Sequence, residues 1–287
     1  MKRIVTGILL IAAVVYIVLY GSPLLLVAAA LLFVIVALWE FFRLAESARF
    51  RPIRWPGYLL AILLSMNNAL FNRTQIDTGV DGYATVTVDP TPTGMLTILS
   101  IVLVVVMVSA MRPSRALADY VGTVAVSYLG PVYVALPLAL LVSVCMQLDG
   151  PFYVLFALVV VWVGDTAGYF IGKNFGKRKS SPRISPNKTW EGTLASFLSA
   201  LLVGYVTARY FWGVDEGLVG YLEPMLLAAV LNVAGQLGDL AESALKRCAG
   251  VKDSSALLPG HGGVLDRIDA MLFAAPVLWY YWLWQAG

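Results

Sequence analysis

The chain has 287 residues, 60% of them hydrophobic and only 13% charged, with a formal net charge of +3 and a mean hydropathy of +0.80. A soluble domain is about 45–50% apolar and about 25% charged, so this composition excludes a disordered chain, a nucleic-acid-binding module and a disulfide scaffold. A soluble globule of this length could not bury so much apolar surface, and lipid is the solvent the composition calls for.

A helix crosses the hydrocarbon with roughly 20 apolar residues. Stretches of that kind fall at 4–20, 23–42, 55–71, 94–111, 119–147, 151–172, 189–212, 222–241 and 268–285. The chain is therefore expected to be an all-α polytopic membrane protein of about nine spans. Four lie in 1–118, with a polar external loop at 72–93. Five lie in 119–287, with cytoplasmic loops at 173–188 and 242–267. The apolar run after Lys2 and Arg3 also resembles a signal peptide, but Tyr20-Gly21-Ser22 offers no A-x-A-like site, which favours a retained helix. Loop 72–93 alternates Thr and Val and reads as a connector, with a small hairpin as the alternative. Stretch 119–147 is long for one span and holds Gly130, Pro131 and Pro137, so it is either one kinked crossing or a broken helix.

Charge decides the orientation. With the N-terminus in the cytoplasm and one crossing per stretch, 18 of the 20 Lys and Arg residues fall inside, and only Arg73 and Arg209 lie on or near the other side. The outer loops carry Asp77, Asp81, Asp89, Asp149, Asp215, Glu216 and Glu223 instead, as the positive-inside rule requires. Cys145 and Cys248 lie far apart without C-x-x-C spacing and give neither a zinc site nor a redox pair.

Acidic residues at membrane depth gather in the last third: Asp165 in span six, Glu191 at the start of span seven, Asp239 and Glu242 ending span eight, Asp266 and Asp269 leading into span nine. Intramembrane carboxylates are costly and mark function unless they snorkel to the headgroups. Asp239, Glu242, Ser243 and Lys246 fall at i, i+3, i+4 and i+7, one helix face. Two carboxylates about 6 Å apart repel by roughly 3 kcal/mol at an effective dielectric near 20. A hard divalent cation relieves that, and magnesium takes one or two carboxylates and completes its shell with water and substrate phosphates.

Between spans eight and nine, Gly260, Gly262 and Gly263 surround His261, the chain's one histidine. Such a loop lets backbone N–H groups face an anion, and His261 is either a phosphate contact or a hydrogen-bonded loop residue. Upstream, Asp165, Tyr169 and Gly172 share a helix face. Ser185-Pro186 reads as the N-cap and first position of the next helix, whose free N–H groups suit an anion. Lys177, Arg178 and Lys179 read as a topological anchor, whereas Lys188, beside Glu191, reads as functional.

The run Ser243-Ala244-Leu245-Lys246-Arg247-x4-Lys252-Asp253, followed by Leu258-Pro259-Gly260-His261-Gly262-Gly263-Val264-Leu265-Asp266-Arg267-Ile268-Asp269, closely resembles the motif of the phosphatidate cytidylyltransferase (CDP-diglyceride synthase) family. Asp165-Thr166 and Ile184-Ser185-Pro186-x-Lys188-Thr189-x-Glu191-Gly192 resemble the same family, and together these motifs cover about a fifth of the chain. The resemblance implies a helical, homodimeric enzyme of the bacterial inner membrane with its active site facing the cytoplasm. Its substrates would be CTP and phosphatidate, its metal Mg2+, with K+ as a second ion. It implies Asp239 and Asp266 as metal ligands with Asp269 beside them, and Ser243, Lys246, Arg247 and Lys252 as lining of the same cavity. Asp239, Asp266, Lys246 and Ser243 are thus the candidate catalytic residues. Asp165, Ser185, Lys188, Glu191, Asp253, His261, Gly262, Gly263 and Arg267 join Arg247 and Lys252 as candidate substrate contacts. The alternatives are a related CTP-dependent lipid transferase (a CDP-archaeol synthase or a polyprenol kinase) and, from another class, a cation-coupled transporter.

Overall fold

The structure is a computed structural model that describes residues 2–71, 74–78, 84–88, 92–112, 116–212, 217–257, 260 and 262–286. It divides into two compact units, Ile4–Gly150 and Pro151–Gly287, the latter with Met1–Arg3.

The unit Ile4–Gly150 contains α1 (Lys2–Tyr20), α2 (Pro23–Ser47), α3 (Arg54–Phe71), β1 (Thr74–Thr78), β2 (Ala84–Val88), α4 (Pro92–Ala110) and α5 (Tyr120–Cys145). Helix α2 starts where Ser22 Oγ accepts from Leu25 N at 3.3 Å, with Pro23 at the first position, the arrangement that leaves fewest orphan donors at a helix start. Helices α2, α3 and α5 pack on one another through large side chains. Phe42 is fully buried and meets Phe41 and Tyr58 edge-on, both at 5.9 Å. Glycines make room for these rings: a Cβ on Gly130 would stand 2.6 Å from the Phe41 ring, and one on Gly57 2.7 Å from Phe42.

The long stretch 119–147 is one continuous helix, α5, with Pro131 and Pro137 inside it, preceded by a 3-10 turn at Leu117–Asp119. Of the two readings it takes the single helix. Strands β1 and β2 pair antiparallel with Ile76 opposite Val86, so loop 72–93 contains the small hairpin. Helix α5 contacts α2, α3 and α4, and this unit runs on to Gly150.

The unit Pro151–Gly287 comprises α6 (Gly150–Phe175), β3 (Lys179–Ser181), β4 (Ser185–Thr189), α7 (Trp190–Tyr210), α8 (Gly217–Cys248) and α9 (Leu265–Ala286). Helix α7 packs on α8, and α8 on α9. On α7 small residues face inward. Helix α7 buries every fourth residue, Gly192, Ser196, Ala200, Gly204 and Ala208, while Leu194, Leu198 and Leu202 are exposed. Lipid is as apolar as leucine, so membrane helices gain by bringing backbones close at small residues and turning leucine outward. The approach is tight, since a Cβ on Gly204 would lie 2.7 Å from the Met225 Cα.

One local expectation fails. Ser185 does not cap α7; it lies on β4 opposite Ser181. The cap is Thr189, whose Oγ1 accepts from Gly192 N at 3.2 Å with extended backbone at φ −128°, ψ 153°. Pro186 is tolerated because a two-stranded hairpin is all edge and needs no N–H there.

Among the described residues, five helices are long and apolar enough to cross a membrane: Pro23–Ser47, Leu117–Cys145, Gly150–Phe175, Trp190–Tyr210 and Gly220–Cys248. Gly7–Tyr20 and Gly94–Ala110 are shorter apolar helices. The chain is an all-α membrane protein, with two small hairpins among the described residues.

Candidate active site

Helix α6, the β3–β4 hairpin, α7 and α8 line a half-open cavity of 660 Å³, within the size range of ligand pockets. Towards its C-terminus α6 carries a glycine stripe at Gly164, Gly168 and Gly172, which Gly176 continues just past the helix end, and all four line the cavity. A Cβ on Gly164 would meet Asn232 Nδ2 at 2.3 Å, and one on Gly176 would meet Thr189 at 2.6 Å. The stripe lets α7, β4 and α8 come close while Asp165 and Tyr169, on the same face, open onto the space.

The walls are charged. Lys188 Nζ, from β4, lies 2.6 Å from Asp239 Oδ2 on α8, and Ser243 Oγ donates to Asp239 Oδ1 at 3.3 Å. Lys173 and Lys179 line the same cavity. At its inner end Gln236 Nε2 donates to Asn232 Oδ1 at 2.6 Å, and Asn232 Nδ2 to Ser196 Oγ at 2.9 Å, so the buried amides satisfy one another.

A second ionic cluster sits one turn further along α8. Lys246 Nζ donates to Asp266 Oδ1 at 2.6 Å and pairs with Glu242, whose fully buried carboxylate takes no hydrogen bond besides that ion pair among the described residues. Asp266 Oδ2 accepts Ser254 N at 2.9 Å, Ser254 Oγ at 2.7 Å and Gly263 N at 2.8 Å. Asp266 precedes the apolar stretch 268–285. Burial pushes its carboxyl up, but the Lys246 ammonium and the Gly263 and Ser254 donors outweigh that and hold it down at about 2. The glycine loop does point an N–H at an anion, and the anion is Asp266. Gly262 has φ +78°, and a Cβ there would stand 2.8 Å from Asp266 Oδ2, so both backbone and space demand glycine.

Asp165, Asp239 and Asp269, from three helices, lie within electrostatic reach of one another, and Arg267 is within reach of Asp165. Asp269 Oδ1 accepts from Ala270 N at 2.8 Å. Among the described residues no three His, Cys, Asp or Glu side chains stand together as a finished metal cage. The donors nevertheless fit a hard cation: all are oxygen, three carboxylates repel one another, and magnesium asks for only one or two of them.

Of the residues singled out from sequence, Asp165, Lys188 and Asp239 line the cavity, and Ser243, Lys246, Gly263 and Asp266 connect directly to the carboxylates behind it. Others are placed elsewhere. Arg247 donates to two backbone carbonyls, Ile184 O at 3.2 Å and Val251 O at 2.9 Å. The two Glu191 oxygens both lie 3.3 Å from Arg178 N. Lys252 and Asp253 are exposed, and His261 lies outside the described residues. Sequence reasoning missed Lys173, Lys179, Gln236 and Ser254. The four-residue glycine period of α6, and the amides four apart at Asn232 and Gln236 in an apolar span, were the signals that could have found the cavity.

The cavity is walled by lysines and carboxylates from α6, the β3–β4 hairpin and α8, the kind of lining that complements phosphate oxygens and cations. The chain belongs to the cytidylyltransferase family, whose model matches residues 1–284. Its relatives include proteins named phosphatidate cytidylyltransferase. That of Bacillus subtilis (strain 168) is 48% identical over 128 residues, 45% of this chain and 46% of that protein. That of Haemophilus influenzae is 40% identical over 136 residues, 46% of each. That of Staphylococcus haemolyticus is 47% identical over 130 residues, 45% of this chain and 48% of that protein. The chain thus spans about half the length of the curated relatives it matches.

Proposed function

We propose that this protein is a nucleotidyltransferase of phospholipid synthesis that joins CTP to phosphatidate, giving CDP-diacylglycerol and pyrophosphate. The observation that carries the reading is the Lys188–Asp239 pair facing a cavity that also holds Lys173, Lys179 and Asp165. Lysines there can neutralise phosphate oxygens, and carboxylates can hold the counter-ion of a triphosphate. The names of the relatives support the same reaction.

The lipid phosphate is already an anionic nucleophile, so no serine or cysteine is needed. One of its oxygens bonds to the CTP α-phosphorus, the bond from that phosphorus to the α–β bridging oxygen breaks, and pyrophosphate leaves with the electron pair. Catalysis is then positioning and charge neutralisation. Lys173, Lys179 and Lys188 offset phosphate charge; Ser243 orients Asp239, and Lys246 orients Asp266. Asp239 and Asp269, beside Asp165, are the residues that would hold Mg2+, with K+ as a second ion, and Asp266 would join them by exchanging the Lys246 ammonium for the cation. Bound there, Mg2+ would neutralise the triphosphate and the departing pyrophosphate.

The topology that goes with this chemistry has nine spans in the bacterial inner membrane. The N-terminus and the site are cytoplasmic, the C-terminus lies outside, and the protein is a homodimer. The 18 basic residues on one side support that orientation, which puts the cavity where CTP is. The test is pyrophosphate release by purified protein supplied with CTP, Mg2+ and a panel of lipid acceptors. Release with phosphatidate but not with polyprenol or diacylglycerol is expected. Phosphorylation of polyprenol with CDP release would convert the reading to a CTP-dependent kinase, and no turnover by folded, metal-supplied protein would defeat it.

A further inference from the structure

The sequence places Arg247 among the substrate contacts, yet its guanidinium is spent on backbone. Nε donates to Ile184 O at 3.2 Å in the turn of the β3–β4 hairpin, and Nη1 donates to Val251 O at 2.9 Å just past the end of α8. One planar fork thereby joins the end of α8 to a hairpin turn 63 residues before Arg247 in sequence. The other end of the hairpin is held as well. Trp190 N donates to Arg178 O at 2.9 Å, and Glu191 accepts from Arg178 N. Between these two clamps stand Lys179 and Lys188, both lining the cavity. The hairpin has only two paired positions, Lys179 with Thr189 and Ser181 with Ser185, and an irregular register between them. A two-stranded hairpin is marginal on its own, so its place depends on what grips it.

We propose that Arg247 is a positioning residue that ties the β3–β4 hairpin to the end of α8 and so holds Lys179 and Lys188 against the cavity, without touching substrate. The catalytic part of this inference rests on the cavity being the site of cytidylyl transfer; the structural part does not. A guanidinium presents directed N–H groups in a rigid fork, whereas a lysine ammonium is a point charge on a flexible stem and cannot reproduce the pair of carbonyl bonds. Positive charge at this position is therefore not enough.

The experiment compares wild type, Arg247→Lys and Arg247→Met in detergent, each shown monodisperse by size exclusion. Trypsin nicking at Lys177, Arg178, Lys179 and Arg183 is followed without substrates, and KM and kcat are measured for CTP and phosphatidate. Both variants should be nicked about tenfold faster, because losing charge-assisted bonds raises the population of the released hairpin by about that factor. Both should raise KM by about tenfold with kcat within about twofold, lysine rescuing no better than methionine. Wild-type KM in Arg247→Lys alongside a raised KM in Arg247→Met would mean that charge at a phosphate is what matters, and would overturn the proposal. So would unchanged nicking in both variants. Absence of CDP-diacylglycerol synthesis in the wild type defeats the functional reading instead, and the nicking comparison still decides whether Arg247 holds the hairpin.

Discussion

Helices α2 and α3 of one compact unit and α7 of the other meet the same apolar solvent with opposite side-chain choices. In Ile4–Gly150, rings and branched chains point inward: Val34, Leu38, Phe41 and Phe42 on α2, Leu60 and Leu64 on α3. In Pro151–Gly287, α7 turns glycine, serine and alanine inward and leaves Leu194, Leu198 and Leu202 exposed, while the cavity end of α6 presents Gly164, Gly168 and Gly172. The first choice fills space and leaves little polar surface. The second brings backbones together and lets polar groups at the ends of the stripe surround a cavity of 660 Å³. Close approach at small residues is thus what makes room for charge, because the helices are held by backbone proximity instead of by the side chains that line the site.

The contrast breaks at different points with different force. Asp239→Asn removes the carboxylate that Lys188 and Ser243 share and should lower kcat/KM by roughly 10³-fold, about 4 kcal/mol of transition-state stabilisation, with unfolding nearly unchanged. Steady-state kinetics beside a thermal scan checks both halves. Phe42→Ala, in the other unit, should do the reverse. It costs about 3 kcal/mol of stability through the cavity it leaves, while the activity of the folded fraction stays within about twofold. Gly204→Val forces a side chain onto the Met225 backbone and should cost about 1–3 kcal/mol by overpacking; denaturant titration in mixed micelles reads it. Smallest is Glu46→Ala, which breaks the exposed pair with Arg54, 2.6 Å apart, and should change stability by under about 1 kcal/mol.

Most of the helices are legible in the sequence because lipid forbids unpaired backbone, so apolar runs and helices coincide. The face Asp239, Ser243, Lys246 is legible for a similar reason, since helical spacing alone brings these residues together. What spacing cannot give is the commitment of a side chain to distant backbone. Arg247 looks like a phosphate ligand until Ile184 O is known to be beside it, and the glycine loop looks like a ligand's cradle until Asp266 occupies it. Ser185 misleads because Ser-Pro and Thr-Trp are both plausible helix starts; pairing with Ser181 draws Ser185 into β4, and the cap falls to Thr189 at the end of that strand.

The central claim, that lipid phosphate attacks the α-phosphorus of CTP in this cavity, is tested most directly by supplying CTP labelled at that phosphorus together with phosphatidate and Mg2+. The account predicts that the label passes into the lipid fraction as CDP-diacylglycerol, one equivalent for each pyrophosphate released. Label that stays in water-soluble CDP or CMP while the lipid is consumed would contradict it.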